Sequence, residues 1–202
     1  MKVKNKIIVI EGGIDLKLSS KVKYRKPKFD AVFIGRFHQQ KGVLELIDIW
    51  KIVTEKKKNV KLAMIGSGAL ENEVKEKIKK ANLEKNIILF GFKDGIEKIK
   101  IFKNSKIVLH PALYDSGGMA ACEAMACKLP GVSYNLEALK TYYPKGMLKT
   151  KIGDKKEFAK NILLLLENKK LYNKLKKQAY SLAREWDWDK RAEEIYRESF
   201  KS

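Results

Sequence analysis

The amino-acid sequence predicts an α/β protein: a Rossmann-like doubly wound parallel sheet with helices on both faces, followed by C-terminal helices. Two observations predict this class. From residue 30 onward, short runs rich in Val and Ile alternate with longer stretches that have a helical pattern of apolar residues. This alternation is typical of βαβ units, in which helices cover both faces of a parallel sheet. After residue 150 the strand pattern stops and only helical patterns follow.

Five short apolar runs are predicted to be the strands of this sheet. They cover residues 31–35, 60–66, 86–91, 105–110 and 131–135. The helical patterns between them cover residues 42–57, 70–81, 95–103 and 118–127. Beyond the sheet, Asp154 is a candidate N-cap for a helix with apolar residues on one side. Two more helices are predicted over residues 169–184 and 188–200.

The domain organisation predicted from these patterns has three parts. Residues 1–29 fit least well, because "LKLSSKVKYRKPK" is polar and basic with no clear period, although "KIIVIEGGID" permits a strand and a turn. We interpret 1–29 as a linker or edge segment, 30–184 as the Rossmann-like domain and 185–202 as a C-terminal helix.

No apolar run approaches the roughly 20 residues of a membrane span. Cys122 and Cys127 are predicted to be buried thiols, and an intracellular location is expected.

The formal net charge of +20 suggests an anionic partner. Only five of the 44 basic residues are arginine, whereas nucleic-acid readers depend on arginine for bidentate contacts. The lysines are spread along almost the whole chain, at positions that would form the exposed faces of helices. The charge therefore favours a solvated lysine surface, with a patch for anionic lipid or nucleic acid as the alternative.

Candidate site residues follow the first strand, because ligands of open parallel sheets bind beyond the carboxyl ends of the strands. The stretch "GRFHQQKG" places Gly35 where a ligand can approach the backbone, and Arg36 and Lys41 in one loop. Gly42 then opens a helix whose amino end favours an anion. The pattern indicates a diphosphate site, although a chain this basic can place Arg and Lys near a helix start by chance.

Glycine turns follow the second and third strands. Gly66 and Gly68 flank a serine, but Glu71 stands where a dinucleotide fingerprint would have its third glycine. The two glycines are therefore better explained by a turn that lines a nucleotide pocket, or by a tight βα turn, than by an NAD site. After the third strand, Gly91 and Phe92 lie at the crevice edge, where the backbone could receive a planar base. An ordinary turn is the alternative for that position.

The stretch "DSGGMAACEAMA" follows the fourth strand and carries two acids with seven residues between them. Gly117, Gly118 and Met119 can present backbone amides to a ligand as the next helix begins. Asp115 and Glu123 can accept hydrogen bonds from hydroxyl groups, and a carboxylate suits the vicinal diol of a ribose or hexose. A capped helix with an acid in its early turns is the alternative.

These motifs together resemble the C-terminal donor-binding domain of the GT-B glycosyltransferases, in particular the large retaining family 4, the glycosyl transferases group 1. The resemblance covers nearly the whole chain and rests on six motifs in order. They are "EGGID" at 11–15, "FIGRFHQQKG" at 33–42, "LAMIGSG" at 62–68, "ILFGF" at 88–92, "LHPALYDSGGMAACEAMACKLPGV" at 109–132 and "EWDWDKRAEEIY" at 185–196.

The resemblance implies a role for each matching residue. Arg36 and Lys41 would hold the donor diphosphate, Asp115 would face the transferred sugar, and these three form the catalytic set. Glu123 would bind the ribose hydroxyls. Aspartate replaces the usual glutamate at Asp115, so the sugar contact is expected to shift. The other implied donor contacts are Gly35, Gly66, Gly91, Phe92, Gly117, Gly118 and Met119.

The resemblance further implies transfer of a hexose from a UDP- or GDP-linked sugar to a glycan or lipid-linked acceptor, with retention of configuration. No metal or cofactor is expected, and His38 and His110 are interpreted as structural. The acceptor domain that such enzymes carry on the N-terminal side is missing, so this domain is expected to be inactive in isolation. A cytoplasmic location, peripheral to the inner face of the membrane, would suit it. The alternatives are a sugar-nucleotide or phosphate-binding module without catalysis and a basic nucleic-acid-binding protein.

Overall fold

The structure, a computed structural model, describes residues 12–24, 26–142 and 144–200. Six parallel strands in these ranges form one sheet in the order β3-β2-β1-β4-β5-β6. The strands are β1 Phe29–Ile34, β2 Leu62–Ile65, β3 Ile87–Leu89, β4 Ser105–His110, β5 Gly131–Tyr134 and β6 Met147–Thr150. The strand order changes direction between β1 and β4, which creates a crevice at the carboxyl edge of the sheet.

Helices connect the strands and continue beyond the sheet. Those that lie before or between strands are α1 Leu16–Ser20, α2 Val43–Lys56, α3 Glu71–Lys80, α4 Gly95–Lys103, α5 Met119–Ala126 and α6 Ala138–Tyr142. The last three helices are α7 Lys155–Glu167, α8 Lys169–Glu185 and α9 Trp188–Ser199. The predicted α/β class, with a Rossmann-like doubly wound sheet, helices on both faces and C-terminal helices, is confirmed.

Apolar side chains are buried on both faces of the sheet. In β1, Phe33 points into a core formed mainly with α2, α3 and α7, where Trp50 and Phe158 are fully buried. Val32 points to the opposite face, into a core formed with α4, α5 and α8, which includes Phe102 and Leu182. Alternate residues of a central strand therefore enter two separate cores, as expected for a parallel sheet covered on both faces.

Three elements are missing from the sequence prediction. The edge strand β6 is only four residues long and contains Lys149, so it lacks the apolar run by which the other strands are recognised. Helices α1 and α6 have five residues each, too few to show a helical period. Asp15 caps α1 by accepting a hydrogen bond from the Leu18 amide, at 2.8 Å. The strand considered within "KIIVI" lies outside the described residues.

The segment before α1 is joined to the segment before α9. The Ile14 amide donates to the Trp186 carbonyl at 2.7 Å, and the Trp188 amide donates to the Ile14 carbonyl at 3.0 Å. The Ile14 side chain is buried in the second core.

Cys122 and Cys127 are both buried free thiols, as predicted. Across the described ranges, no helix is long and apolar enough to cross a membrane.

Substitution of Gly42 by alanine is expected to destabilise the fold by about 3 kcal/mol. Gly42 has φ +64°, and a Cβ there would lie 1.9 Å from the Pro111 carbonyl oxygen, so the loop after β1 or the end of β4 would have to move. Gly153→Ala is the matched control, because Gly153 has φ +81° but nothing within 4 Å of its Cβ position. The control should lose only about 1 kcal/mol. Equal losses in urea unfolding would contradict the steric explanation.

Candidate functional site

Two adjoining pockets lie in the crevice at the carboxyl edge of the sheet. Both are lined by Ile34 and Gly35, at the end of β1, so they lie side by side. The first has a volume of about 180 Å³ and extends towards β2 and β3. The second has a volume of about 70 Å³ and extends towards β4 and the start of α5. The strand ends therefore provide a groove with two compartments.

The first pocket combines a narrow backbone floor with basic and aromatic walls. Arg36, Ser67, Phe92 and Lys93 contribute to its lining, and the Phe92 side chain is 73% exposed. Gly66 forms part of the floor, where a Cβ would lie 1.9 Å from the Gly35 carbonyl oxygen. Only glycine permits this close approach of the ends of β1 and β2. A flat group could lie between this floor and the Phe92 ring.

The second pocket has a charged wall centred on Asp115. Lys41, from the loop after β1, places its Nζ 2.7 Å from Asp115 Oδ2. His110, the last residue of β4, places its Nε2 3.1 Å from the same oxygen. The amides of Gly117 and Gly118 donate to Asp115 Oδ1 at 3.1 Å and 2.9 Å. One carboxylate therefore joins three segments of the chain.

The pKa of Asp115 follows from these contacts. Burial of this carboxyl group raises its pKa, but the hydrogen bonds from His110, Lys41 and the two glycine amides outweigh burial. The pKa of Asp115 is therefore held well below its usual range, so the group is a carboxylate at neutral pH.

A second acid, Glu123 of α5, is held by a lysine that the sequence analysis does not identify. Lys98 of α4 places its Nζ 2.9 Å from Glu123 Oε1 and 2.8 Å from Asp94 Oδ1. Lys98 is only 8% exposed. Burial lowers the pKa of Lys98, but the bonds to Asp94 and Glu123 outweigh it and raise the pKa above its usual value. Lys98 therefore stays charged and fixes one oxygen of Glu123.

The predicted site residues divide between the pockets and their surroundings. Arg36 and Phe92 line the first pocket, and Met119 lines the second together with Lys41 and Asp115. Three predicted residues line neither pocket: Gly91, Gly117 and Glu123. Gly91 accepts a hydrogen bond from the Gly66 amide, Gly117 donates to Asp115, and Glu123 contacts Lys98.

The two histidines have different surroundings. His38 Nδ1 accepts a hydrogen bond from the Gln40 amide at 3.3 Å, which caps a single 3₁₀ turn over Gln39–Lys41. His110 lines the second pocket and contacts Asp115, and the interpretation of both histidines as structural stays a prediction. No sequence pattern distinguishes the two. Across the described parts of the chain, no group of three His, Cys, Asp or Glu side chains is arranged to hold a metal ion. The expectation that no metal is needed stays a prediction.

The fold and the crevice define the class of this protein as a Rossmann-like domain with basic side chains in the crevice at its strand ends. Such a crevice is a typical place for a phosphorylated ligand. The family is shown by comparison with known proteins. The model of the family "Glycosyl transferases group 1" matches residues 16–182, and the chain belongs to this family. The resemblance inferred from the six motifs is thereby confirmed.

Two relatives illustrate the range of similarity. Uncharacterized glycosyltransferase MJ1178 of Methanocaldococcus jannaschii is 26% identical over 191 residues, which cover 93% of this chain and 52% of that protein. The poly(ribitol-phosphate) alpha-N-acetylglucosaminyltransferase of Staphylococcus aureus is 28% identical over 104 residues, which cover 52% of this chain and 21% of that protein. The chain thus spans about half the length of the first relative, and less of the second.

Solved structures share the fold. The HepE structure from Anabaena in complex with UDP and glucose has a TM-score of 0.80 and 18% identity, covering 94% of this chain and 55% of that one. The C-terminal domain of LpcC, a glycosyl transferase group 1 family protein from Francisella tularensis, has a TM-score of 0.71 and 22% identity. That match covers 85% of this chain and 97% of the LpcC domain.

Asp115→Asn is expected to lower the free energy of unfolding by about 3 kcal/mol at neutral pH, because the substitution leaves Lys41 without its partner. The folded-state pKa of Asp115 lies below its unfolded value of about 3.9, so this stabilisation is fully present above that value and is lost as the pH falls towards the folded pKa. Urea unfolding of both proteins across this pH range measures the difference. A difference that stays constant under acid conditions would contradict the assignment.

Proposed function

We propose that this chain is the donor-binding half of a retaining hexosyltransferase that uses a nucleotide diphosphate sugar. One observation carries the proposal: the two pockets adjoin at Ile34 and Gly35, with Arg36 in one lining and Lys41 in the other. A ligand with a base at one end, a diphosphate in the middle and a sugar at the other end matches this sequence of environments. The complexes of Anabaena HepE and of the pneumococcal O-GlcNAc transferase GtfA contain UDP and a sugar, which supports the proposal.

Each part of the donor has a proposed place. The base lies in the first pocket, over the Gly66 floor and beside Phe92. The diphosphate crosses Gly35, with Arg36 in the lining on one side and Lys41 in the lining on the other, and the amino end of α5 adds a favourable dipole. The sugar lies in the second pocket, next to Asp115. The UDP complexes of the related structures favour a uridine nucleotide over a guanosine nucleotide.

Lys41 and Asp115 are proposed to exchange partners when the donor binds. In the structure, Asp115 accepts from Lys41, His110 and two amides, which fill its lone-pair positions. The diphosphate offers Lys41 a stronger anion. Once Lys41 turns to it, Asp115 Oδ2 can accept a hydroxyl of the sugar, while the two glycine amides continue to hold Oδ1.

The proposed chemistry is transfer with retention, in which the acceptor attacks from the face that the diphosphate leaves. A leaving phosphate oxygen would take the acceptor proton. The contribution of the protein is electrostatic, because Arg36, Lys41 and the helix amino end stabilise the negative charge that grows on the diphosphate. We propose that this stabilisation operates without a metal ion or cofactor.

The acceptor is proposed to bind in a separate N-terminal domain. Helix α9 supports this proposal, because none of its residues is buried and an aromatic pair lies exposed on it: Tyr196 and Phe200 are 68% and 71% exposed, with ring centroids 4.9 Å apart. A partner domain would cover this surface. The acceptor is a glycan or a lipid-linked chain, in keeping with the polymer named for the Staphylococcus relative. The two free thiols fit a reducing, cytoplasmic compartment.

Lys98 is proposed to position Glu123 for the ribose. The Lys98 ammonium donates to Glu123 Oε1, which fixes the orientation of the carboxylate. Glu123 Oε2 can then accept hydrogen bonds from the ribose hydroxyls. Because Lys98 also contacts Asp94, two residues after Phe92, it links the ribose acid to the loop that lines the first pocket. The lysine touches Glu123 and not the reacting atoms, so its role is positional.

The proposed function is tested by calorimetric titration with UDP, GDP and ADP. One of these should bind saturably, and Glu123→Ala should weaken that binding by about 10- to 100-fold, because charge-assisted hydrogen bonds to the ribose are lost. Arg36→Ala should have an effect of similar size. Glu76→Ala, which removes an exposed acid on α3, should leave affinity unchanged. Absence of binding by the folded chain to all three nucleotides would overturn the proposal.

The positioning role of Lys98 is tested with the bound nucleotide and its 2′,3′-dideoxy analogue. The unsubstituted chain should prefer the ribonucleotide by about tenfold or more, since the dideoxy form cannot donate to Glu123. Lys98→Met should abolish this preference, and Lys98→Arg should restore part of it. If the unsubstituted chain shows no preference, the ribose role of Glu123 fails. If Lys98→Met keeps the preference, only the role of Lys98 fails.

A further inference from the structure

A basic face lies at the amino-terminal edge of the sheet, opposite to the crevice. Helices α4 and α5 run back from the crevice and end next to the first residues of β4 and β5. Residues 21–24 pass beside these helix ends, and α8 borders them on the other side. Seven lysines define the basic face: Lys21, Lys23, Lys100, Lys103, Lys128, Lys176 and Lys177.

The lysines of the basic face line two surface pockets. One has a volume of about 490 Å³ and lies between residues 21–23 and α4. The other has a volume of about 410 Å³ and lies between Lys128 and α8. Tyr24 lies between these two surface pockets. Lys176, which lines the pocket beside α8, places its Nζ 5.2 Å from the centroid of the Tyr24 ring. Neither lining includes an acidic side chain.

The charges of the basic face are not neutralised by the protein. None of its seven lysines forms an ion pair with a carboxylate among residues 12–24, 26–142 and 144–200, whereas Lys75 and Lys80 on α3 each pair with a glutamate one turn earlier. Burial, together with the charge of Lys128, lowers the pKa of Lys176. Cations gathered without counter-charges repel one another, and an anion that enters the pockets relieves this repulsion.

The backbone of Lys128 has a left-handed conformation that glycine would adopt at a lower energetic cost. It has φ +63°, in the left-handed region that glycine adopts most easily, just after the end of α5. Its Nζ lies 4.8 Å from the centroid of the Tyr180 ring, and the Arg184 guanidinium carbon lies 5.8 Å from the same centroid. The Tyr180 ring therefore holds two cations at the rim of one pocket.

Apolar side chains among the cations indicate the kind of partner. Tyr24 is 44% exposed, and Ile96, which lines the larger pocket, is 37% exposed. Lysine stems and tyrosine rings suit the boundary between headgroups and acyl chains, where the charged ends stay in the phosphate layer. A nucleic-acid site would favour arginine, whereas all the cations that line the two pockets are lysines and one arginine, Arg184, lies at the rim.

We propose that the basic face docks on an anionic bilayer, with lipid phosphates in its two pockets. Phosphatidylglycerol is a suitable probe, because its headgroup adds a negative charge without adding a positive one. Docking by this edge leaves the crevice, at the opposite edge of the sheet, open to a soluble ligand. The proposal is independent of the function proposed for the crevice.

The test is sedimentation of this 202-residue chain with vesicles of phosphatidylglycerol and phosphatidylcholine, at about 0.1 M salt. Lys128→Gly is the first variant, because glycine relieves the backbone strain and the protein should remain folded. It should weaken binding by about fivefold, and the triple variant K128G/K176Q/K177Q by on the order of 100-fold. The matched control K75Q/K79Q/K80Q removes the same charge from α3 and should bind as well as the unsubstituted chain.

Three results would overturn the proposal. Equal binding to vesicles of phosphatidylcholine alone would show that anionic headgroups are not recognised. Equal losses in the triple variant and in the α3 control would show that total charge, and not this face, drives binding. Lysine-dependent binding to a soluble polyphosphate or to duplex DNA, without sedimentation with vesicles, would assign the face to a different polyanion.

Discussion

The hydrogen-bonded carboxylate of Asp115 is the interaction on which the geometry of the crevice depends. It joins Lys41 from the loop after β1, His110 at the end of β4 and the glycine amides before α5. A turn that contains two glycines has large conformational freedom, and the bonds to one buried oxygen restrict it. The wall of the second pocket is therefore held in one arrangement by the contacts of a single carboxylate.

The layout of the fold could be predicted because its strands are encoded by local patterns. Short apolar runs between helical stretches identify β1, β2 and β4, whose apolar side chains are buried on both faces of the sheet. The edge strand β6 could not be predicted, since it satisfies its backbone by pairing with β5 alone and contains a lysine. Its existence depends on the neighbouring strand, and this information lies in tertiary structure and not in the local sequence.

The candidate site could be predicted in part, for a similar reason. Lys41 and Asp115 are 74 residues apart, yet both follow strands of one parallel sheet, so the carboxyl edge brings them to 2.7 Å. Lys98 and His110 could not be identified. In a chain with 44 basic residues, a lysine in a helix is expected to be solvated, and only the packing of α4 against the end of the sheet buries this one.

The lysines show why total charge is a poor guide to function. Lys75 pairs with a neighbouring glutamate, so its charge is largely neutralised locally. Lys98 is buried between two carboxylates, where a missing partner would leave a costly unpaired charge. Lys128 occupies a strained backbone position with no acid in contact, although glycine would satisfy the fold better. Among the described residues Lys128 contacts the Tyr180 ring but no carboxylate, so an external anion, as proposed for the basic face, would supply the missing counter-charge.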